Sequence, residues 1–579
     1  MKKIISMLLA ITMIASAFTA CGGEQSSGGT EVTYTGIQLS DDGVLVGGEA
    51  ASTDSSSAVY VSNDIIFYLE GQGAEYGEGE ADEGHSQAEA DKHTVINITK
   101  PGNYTVSGSI SHGQIAVNLG TDAKKDPDAV VNITLNNADI TCTVAPAIVC
   151  FKAYECGDDN LETATKDVDT SKAGFNLTIA DDSVNNINGS HVAKIYKPGT
   201  TDKLHKYDAA IESMVTFNIY GEDGVLNVNA DNEGIETKMH LTIHGSEINI
   251  HSADDALNAG EDGVSVITIN DGKLLADSNG GAEGDGIDSN GWLFINGGYV
   301  SAFGKSTSMD SGLDSDNGIY INGGIVFATG NMYDEIVEDS QQNFVVFNFA
   351  SPIATGEFAV LKSIDDKPVA ALESVAGGTN WIYSSPLLTA GYYTMHKVQS
   401  VTGDAVNGVY GGITSTEGEV QLGYLSTGAM GGFGGMMGGQ RPQGGFNKGE
   451  MPEDFDPSQV PQWNMDGFDM ENMPEDFDFS QIPQGGKGNR PQGNMPENFG
   501  SMGKPEGNMP ENFGGMTRPE GFGGNGGQPM DAPEGMPENF NFGSMPQQNG
   551  VNIPVEQQKI FTIEKGANFF SGITEFAEA

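Results

Sequence analysis

The sequence predicts an all-β solenoid, in which short strands recur at a fixed spacing and stack on one another. Five apolar triplets lie between residues 217 and 330, with a first step of 24 residues and three further steps of 26. Most are followed by a glycine-bearing turn, and acidic, glycine-rich phrases separate the units. Self-similarity at this period is typical of rungs that bury one another's apolar faces. The triplets are Phe217-Asn218-Ile219, Leu241-Thr242-Ile243, Ile267-Thr268-Ile269, Leu293-Phe294-Ile295 and Ile319-Tyr320-Ile321.

Residues 1–20 have the pattern of an export signal. Two lysines precede the apolar run Ile4–Ala17, as in secretory signals. The segment ends in Phe18-Thr19-Ala20-Cys21, which is similar to a bacterial lipobox. We expect Cys21 to be acylated, so that lipid anchors the protein to the extracellular face of the cell membrane, with residues 21–58 as a tether. The alternative is an ordinary cleaved signal with an incidental cysteine.

The charge balance excludes some partners. The chain has 80 acidic and 27 basic residues, a formal net charge of −53. Such a chain does not attract nucleic acid or an anionic membrane surface by charge. It requires cations, and divalent ions most of all.

Residues 59–340 carry the strands of the solenoid. From Thr94 onward, β-branched stretches alternate with period two and are separated by Gly, Pro and Asn turns, which predicts short strands. Two insertions interrupt them, Gly157–Lys172 and His191–Tyr207. The second carries four lysines against one acid, Asp202. It is either a solvated loop or a basic arm that reaches over an acidic face to hold an anionic sugar.

The C-terminal third changes composition twice. Residues 341–427 continue as β-structure and are predicted to cap the solenoid, because an exposed last rung would be an aggregating edge. Residues 428–550 are rich in Gly, Met and Pro and contain Met-Pro-Glu-Asp/Asn-Phe five times, which predicts a disordered tract. Its phenylalanines are alternatively contacts for a partner or glycan. Residues 551–579 are predicted to return as strands to the cap.

Three cysteines remain beyond the signal: Cys142, Cys150 and Cys156. Three thiols cannot all pair within the chain, and no metal-binding Cys/His spacing is present. One disulfide with a leftover thiol and three buried thiols are both compatible with the sequence.

An ordered set of phrases resembles one known family. It comprises Ile98–Gly108 (Ile-Thr-Lys-Pro-Gly-Asn-Tyr-Thr-Val-Ser-Gly), Gly113-Gln114-Ile115 and the later Gly-Ile-Glu/Asp and Leu-Thr-Ile-x-Gly units. The chain is similar to exported carbohydrate-binding proteins of anaerobic polysaccharide-degrading bacteria, which are related in fold to family 9 pectate lyases. The resemblance runs from about Thr94 to Gly330 and resumes at Trp381. It implies a right-handed parallel β-helix, bound calcium, and binding of cellulose and of acidic, pectin-type polysaccharide.

The acidic phrases fall into register when their apolar residues are aligned. In a β-helix, equivalent positions on adjacent rungs stack about 4.8 Å apart. Stacked carboxylates repel, whereas a Ca²⁺ ion midway lies about 2.4 Å from each oxygen, its preferred distance. The predicted calcium ligands are Asp208, Glu212, Asp231, Glu233, Glu236, Asp254, Asp255, Asp285, Asp288, Asp310 and Asp314. The alternative is an acidic, soluble flank with turn-forming Asp and Asn.

Other metal motifs fit less well. The acids are spaced between rungs, unlike those of an EF-hand loop, and the histidines show no zinc spacing. Candidate glycan-binding residues are basic or aromatic side chains near the columns. They are Lys194, Lys197, Lys203, Lys206, Lys238 and Trp292. Trp292, Phe294, Tyr299 and Phe303 are core residues in the first interpretation and a sugar platform in the second.

Three function classes compete. The prediction is a non-catalytic, calcium-stabilised polysaccharide-binding protein. The runner-up is a calcium-dependent lyase acting on polyuronates, which needs a base to remove a proton beside the uronate carboxylate. Lys238 is the best candidate base and Lys273 the second. The third class is a structural surface or adhesion protein, in which ions only join rungs.

Overall fold

The computed structural model describes residues 33–73, 75–79, 83–427 and 557–577. This part is all-β apart from one helical turn, α1 (Gln87–Ala90), and a 3₁₀ turn at Ala123–Lys125, so the predicted all-β class is confirmed. No helix in the described ranges is long and apolar enough to cross a membrane. The predictions for Cys21 and for the tract 428–550 concern residues outside these ranges.

The described residues contain strands β1–β40. They are β1 (Tyr34–Leu39), β2 (Leu45–Val46), β3 (Glu49–Ala50), β4 (Val59–Ser62), β5 (Gly77–Glu78), β6 (Thr94–Ile98), β7 (Gly102–Ile110), β8 (Gly113–Asn118), β9 (Val131–Thr141), β10 (Ile148–Lys152), β11 (Phe175–Ile179), β12 (Val184–Gly189), β13 (Val192–Tyr196), β14 (Lys203–Tyr207), β15 (Ala209–Ser213), β16 (Phe217–Tyr220), β17 (Val225–Ala230), β18 (Glu233–Thr237), β19 (His240–Ile243), β20 (Glu247–His251), β21 (Leu257–Ala259), β22 (Val266–Ile269), β23 (Lys273–Asp277), β24 (Ile287–Ser289), β25 (Trp292–Ile295), β26 (Tyr299–Phe303), β27 (Leu313–Ser315), β28 (Ile319–Ile321), β29 (Ile325–Gly330), β30 (Phe344–Phe349), β31 (Phe358–Ser363), β32 (Pro368–Glu373), β33 (Asn380–Ser384), β34 (Gly391–Val398), β35 (Ser400–Val406), β36 (Val409–Glu417), β37 (Val420–Gly423), β38 (Ser426–Thr427), β39 (Phe561–Ile563) and β40 (Ala567–Glu575).

Three ladders of parallel strands run through the repeats, and each takes one strand from each successive unit. The first ladder is β6, β8, β10, β15, β18, β21, β24 and β27. The second is β9, β11, β16, β19, β22, β25 and β28. The third is β9, β12, β17, β20, β23, β26 and β29. That the three ladders close into a right-handed coil stays a prediction.

The five apolar triplets stack in the predicted register along the second ladder. Phe217 pairs with Leu241, Leu241 with Ile267, and so on through Leu293 to Ile319. Alternation places the first and third residue of each triplet on the buried side, where all are at most 1% exposed. Each such side chain contributes about 1.5–3 kcal/mol by leaving water. The repeat is therefore a continuous apolar core.

The predicted tether, residues 21–58, is wrong at its C-terminal end. β1 pairs in parallel with β7 over six residues, and Ile37 and Leu39 are buried in the core. Parallel pairing offers β1 a full set of backbone hydrogen bonds, which outweighs its weak sequence pattern. The folded part therefore begins before residue 59.

The region after the repeats is mainly antiparallel. β33 pairs with both β29 and β30, so the backbone of β29 is covered rather than left as an open edge. β40 runs parallel to β30 and antiparallel to β37. Strands β30, β33 and β40 contribute Phe347, Trp381 and Phe570 to a second apolar core.

The three cysteines are free thiols. Cys142 and Cys150 are buried in the core. Burial raises the pKa of the Cys142 thiol to about 12, so it stays protonated and unreactive at neutral pH.

Candidate metal and glycan site

The first ladder aligns one column of polar side chains. The strand pairing sets Glu212 opposite Glu236, Glu236 opposite Asn258, Asn258 opposite Asp288, and Asp288 opposite Asp314. This register is the predicted one and is confirmed. Each residue follows a buried Ile or Leu, so the column lies on the side away from the apolar core. The role of these residues as metal ligands stays a prediction.

A second set of acids runs beside this column, just before the same strands. Glu233 begins β18, and the backbone N–H after it donates to the carbonyl of Asp255. The N–H of Ala256 donates in turn to the carbonyl of Asp285. The turns that carry these acids are therefore stacked like the strands.

Three carboxylates meet at the N-terminal end of the two sets. Asp208, Glu233 and Glu236 each place an oxygen within 4.8 Å of the others; we call them the N-terminal cluster. Asp208 and Glu233 are buried, and Glu236 is half-buried. Oxygens that lie this near one another could ligate one Ca²⁺ ion, whose ligands lie at 2.3–2.6 Å.

Glu233 is the member of the cluster whose surroundings bear most directly on metal binding. Its side chain is only 7% exposed. Its Oε1 accepts a hydrogen bond from Asn258 Nδ2 at 3.2 Å, but its Oε2 is buried without a hydrogen-bond partner. A buried, unpaired carboxylate oxygen is costly, and a cation bound in the N-terminal cluster would offset that cost.

Burial and mutual repulsion act on the protonation of these groups. Burial, followed by the charge of Glu236, raises the pKa of Glu233 well above its usual range. Burial and Asp208 raise the pKa of Glu236, and burial raises that of Glu212 even though two backbone N–H groups bond its Oε2. Burial and mutual repulsion therefore favour the protonated form of Glu233 and Glu236, and a cation nearby favours the charged form.

Lys206 brings a positive charge from the chain itself to the cluster. The insertion His191–Tyr207 forms a hairpin of β13 and β14 that also pairs with β5. From its end, Lys206 Nζ forms an ion pair with Asp208 Oδ2. Burial disfavours the charged Lys206, but Asp208, Glu236 and Glu233 outweigh it and raise the pKa of Lys206. A metal ion bound in the N-terminal cluster would therefore compete with the Lys206 ammonium for Asp208.

A second group of acids lies further along the ladder; we call Asp255, Asp285, Asp288 and Asp314 the C-terminal cluster. The N–H of Asp285 donates to Asp255 Oδ1 at 2.7 Å. Burial and neighbouring aspartates raise the pKa of Asp255 and Asp285 well above their usual range. Burial and a hydrogen bond with Asp334 raise the pKa of Asp314 to about 9. The largest charge effects on these three carboxyls come from neighbouring aspartates.

Three predicted ligands have other surroundings. Asp231 accepts hydrogen bonds from Ser190 Oγ at 2.6 Å and from His191 Nδ1 at 3.0 Å, so it anchors the start of the hairpin. Asp310 accepts a hydrogen bond from the N–H of Gly284 at 2.9 Å. Burial and Glu283 raise the pKa of Asp254 to about 6.

The predicted glycan-binding lysines divide into two groups. Lys203 and Lys206 lie near the N-terminal cluster. Lys194 is paired with Glu78, Lys197 with Asp202, and Lys238 with Glu261. As an ion-paired ammonium has no lone pair, Lys238 in this arrangement is a poor base for a lyase.

The predicted aromatic residues do not form one platform. Trp292 is half-buried in β25, and Phe303 is fully buried in the second core. Phe294 stacks on Tyr320 with ring centroids 4.5 Å apart, and Lys166 lies 4.2 Å from the centroid of Tyr320. The outer face of this aromatic stack is therefore occupied by the insertion Gly157–Lys172.

Comparison with known proteins yielded one family and one structure. Residues 92–385 match the model of a family described as carbohydrate-binding domain-containing protein. A solved structure described as the polysaccharide lyase-like protein from C. thermocellum, a gadolinium derivative, is 20% identical. The match covers 53% of this chain and 98% of that chain, with a TM-score of 0.31. No curated protein matched.

Proposed function

Because this chain belongs to the carbohydrate-binding domain-containing protein family, we propose that it binds plant-type polysaccharide, acidic and pectin-like or cellulosic, without catalysis. In this proposal the three parallel ladders close into a right-handed β-helix that calcium stabilises. Lipid on Cys21 holds the protein at the extracellular face of the cell membrane. The sequence of the N-terminal segment supports the anchor, and the buried acids support the calcium.

The orphaned Glu233 Oε2 carries the metal part of the proposal. The donors around it are carboxylate oxygens, which suit hard cations such as Ca²⁺ and Mg²⁺ rather than zinc. Three protein carboxylates suit Ca²⁺ better than Mg²⁺, which keeps several waters and is usually bound by one or two carboxylates. Asp208, Glu233 and Glu236 would hold the ion, which would supply positive charge to an otherwise anionic surface.

A bound divalent ion reconciles the net charge with an acidic glycan. A polyanionic protein repels a polyuronate unless cations lie between them. A Ca²⁺ ion with six to eight ligands has positions beyond three protein carboxylates, and a uronate carboxylate provides oxygen for them. Lys203 and Lys206 add positive charge at the same place.

Polygalacturonate retention is the test of this function. The full chain is incubated with insoluble polygalacturonate with Ca²⁺ and with EDTA, while the absorbance of unsaturated products is followed. We expect retention with Ca²⁺, at least tenfold less retention with EDTA, and no rise in absorbance. Crystalline cellulose in parallel reports on the neutral glycan.

Two outcomes contradict the proposal. Unsaturated products that disappear in Lys238→Ala establish the lyase and overturn the non-catalytic assignment. Absence of binding to both polysaccharides favours a structural or adhesion role, in which ions only join the rungs.

A further inference from the structure

A crevice outside the acidic columns lies against the second ladder. Its volume is about 350 Å³, within the range of small-ligand sites. β9, β11 and β16 and the end of the insertion Gly157–Lys172 contribute its walls. Polar and aromatic residues dominate these walls, namely Asn132, Asn176, Tyr154, Tyr220, Ser171 and Lys172. None of the described lining residues is acidic, in contrast to both acidic clusters.

A supported aromatic ring forms one wall. Tyr220 is half-buried at the end of β16. Its ring stacks on that of His244, one rung further on, with centroids 4.5 Å apart and planes inclined by 5°. His244 does not line the crevice, whereas Asn132 and Asn176 on preceding rungs do. His244 thus covers one face of the Tyr220 ring and holds the ring in place, while another part of the Tyr220 side chain borders the crevice.

A ladder of amides forms the floor. Asn176 Nδ2 donates to Asn132 Oδ1 at 3.0 Å, and Asn132 Nδ2 donates to Asn103 Oδ1 at 2.9 Å. A carboxamide has two N–H donors and two acceptor lone pairs. Asn132 therefore keeps one donor and one acceptor for a further hydrogen bond, such as one to a hydroxyl group.

A cation stands at the rim. Lys172 is exposed. Hydrogen bonds from Ser171, and then the charge of Lys172, lower the pKa of the nearby Asp169, but no carboxylate of the described residues lies within ion-pair distance of Lys172. Most lysines near the acidic columns are neutralised, as Lys206 is by Asp208 and Lys238 by Glu261. In a chain of net charge −53, a lysine without an ion pair beside a fixed aromatic ring is suited to an anionic ligand.

We propose that this crevice is a metal-independent subsite for an acidic sugar, with Lys172 pairing with the uronate carboxylate and the Tyr220 ring packing on the pyranose C–H face. The free positions of Asn132 bond the sugar hydroxyls. The subsite rests on the proposed glycan-binding function and adds to it a second contact that needs no calcium. A charge-assisted bond to the carboxylate gives preference for acidic over neutral sugars.

Calorimetric titration of the full chain tests the subsite. The probes are an oligogalacturonate and a cello-oligosaccharide of equal length, each in EDTA. We expect Lys172→Gln to lower the affinity for the acidic probe about fivefold, since one partly exposed charge pair is worth about 1 kcal/mol. The affinity for the neutral probe should stay unchanged. Lys172→Arg restores the affinity. Tyr220→Leu weakens both probes by about tenfold. Lys367→Gln, which removes an exposed lysine of the cap, is the matched control.

The two levels of the proposal fail in different ways. If wild-type protein binds polygalacturonate with Ca²⁺ but Lys172→Gln binds the acidic probe like wild type, the subsite is refuted and the proposed function stands. If no glycan binds under any condition, the proposed function fails and the subsite with it. Lys172 is exposed, so its variant gives an answer even if Tyr220→Leu does not fold.

Discussion

In EDTA, the melting temperature of this protein is expected to rise as the pH is lowered from 8 to 5. Burial raises the pKa of Asp254 to about 6 and that of Asp314 to about 9, and raises those of Glu233, Asp255 and Asp285. A carboxyl whose pKa is higher in the folded than in the unfolded state lowers the free energy of unfolding as the pH rises. The loss begins near the unfolded pKa and is complete above the folded one. A tenfold difference in proton affinity between the two states corresponds to about 1.4 kcal/mol.

Calcium should remove most of this pH dependence. A cation near the carboxylates favours their charged form and offsets the cost of burying it. At a free concentration 100 times its Kd, one ion adds about 2.7 kcal/mol, so the melting temperature at pH 8 should rise by several degrees. Thermal unfolding at pH 5, 6, 7 and 8 with Ca²⁺ and with EDTA measures both effects. A melting temperature that falls on acidification in EDTA, or that does not change when calcium is added at pH 8, contradicts the account.

Glu233→Gln is expected to weaken calcium binding on the order of 100-fold and to abolish the calcium-dependent part of polygalacturonate retention. The amide keeps the size of the side chain and one oxygen for Asn258, but removes the charge on the buried, unpaired Oε2. Without calcium, the same variant should be more stable than wild type, because a repelling carboxylate is gone. Opposite signs with and without metal distinguish a ligand from a residue that only packs.

Two matched variants sharpen this prediction. Asp231→Asn alters an acid from the same repeats whose carboxylate anchors the hairpin instead, so calcium affinity should stay unchanged. Lys206→Met removes the ammonium that pairs with Asp208 and should tighten calcium binding about tenfold by ending the competition. Equal losses in Glu233→Gln and Asp231→Asn would show that no particular carboxylate matters.

The stacking was predictable because it depends on local pattern. The recurring apolar triplets and the period-two alternation define the rungs. Anchoring each acidic phrase on its apolar residue then gives the register, so Glu236, Asn258 and Asp288 align as expected. β1 was missed because its stability comes from pairing with β7, a partner about 70 residues later. A strand with a weak sequence pattern that is stabilised by pairing with a distant strand cannot be recognised from the sequence alone.

The details of the site were less predictable, because they depend on insertions. The path of the hairpin brings Lys206 to Asp208 but pairs Lys194 with Glu78. The spacing of the lysines in the sequence does not indicate which of them reaches the N-terminal cluster. Tyr220 and His244 did leave a signal. Each directly follows an apolar triplet, so the register that aligns the triplets also aligns these two rings. The proposed subsite in the crevice also needs Lys172, which is the last residue of the insertion Gly157–Lys172.

Calorimetric titration of Ca²⁺ into chelator-treated full-length protein at pH 7 tests the central claim most directly. Calcium in the acidic columns must displace protons from carboxyls whose pKa values burial has raised. The account predicts saturable binding whose heat differs between buffers of different ionisation enthalpy, in the direction of proton release. Absence of saturable binding, or binding with no proton release, would contradict it.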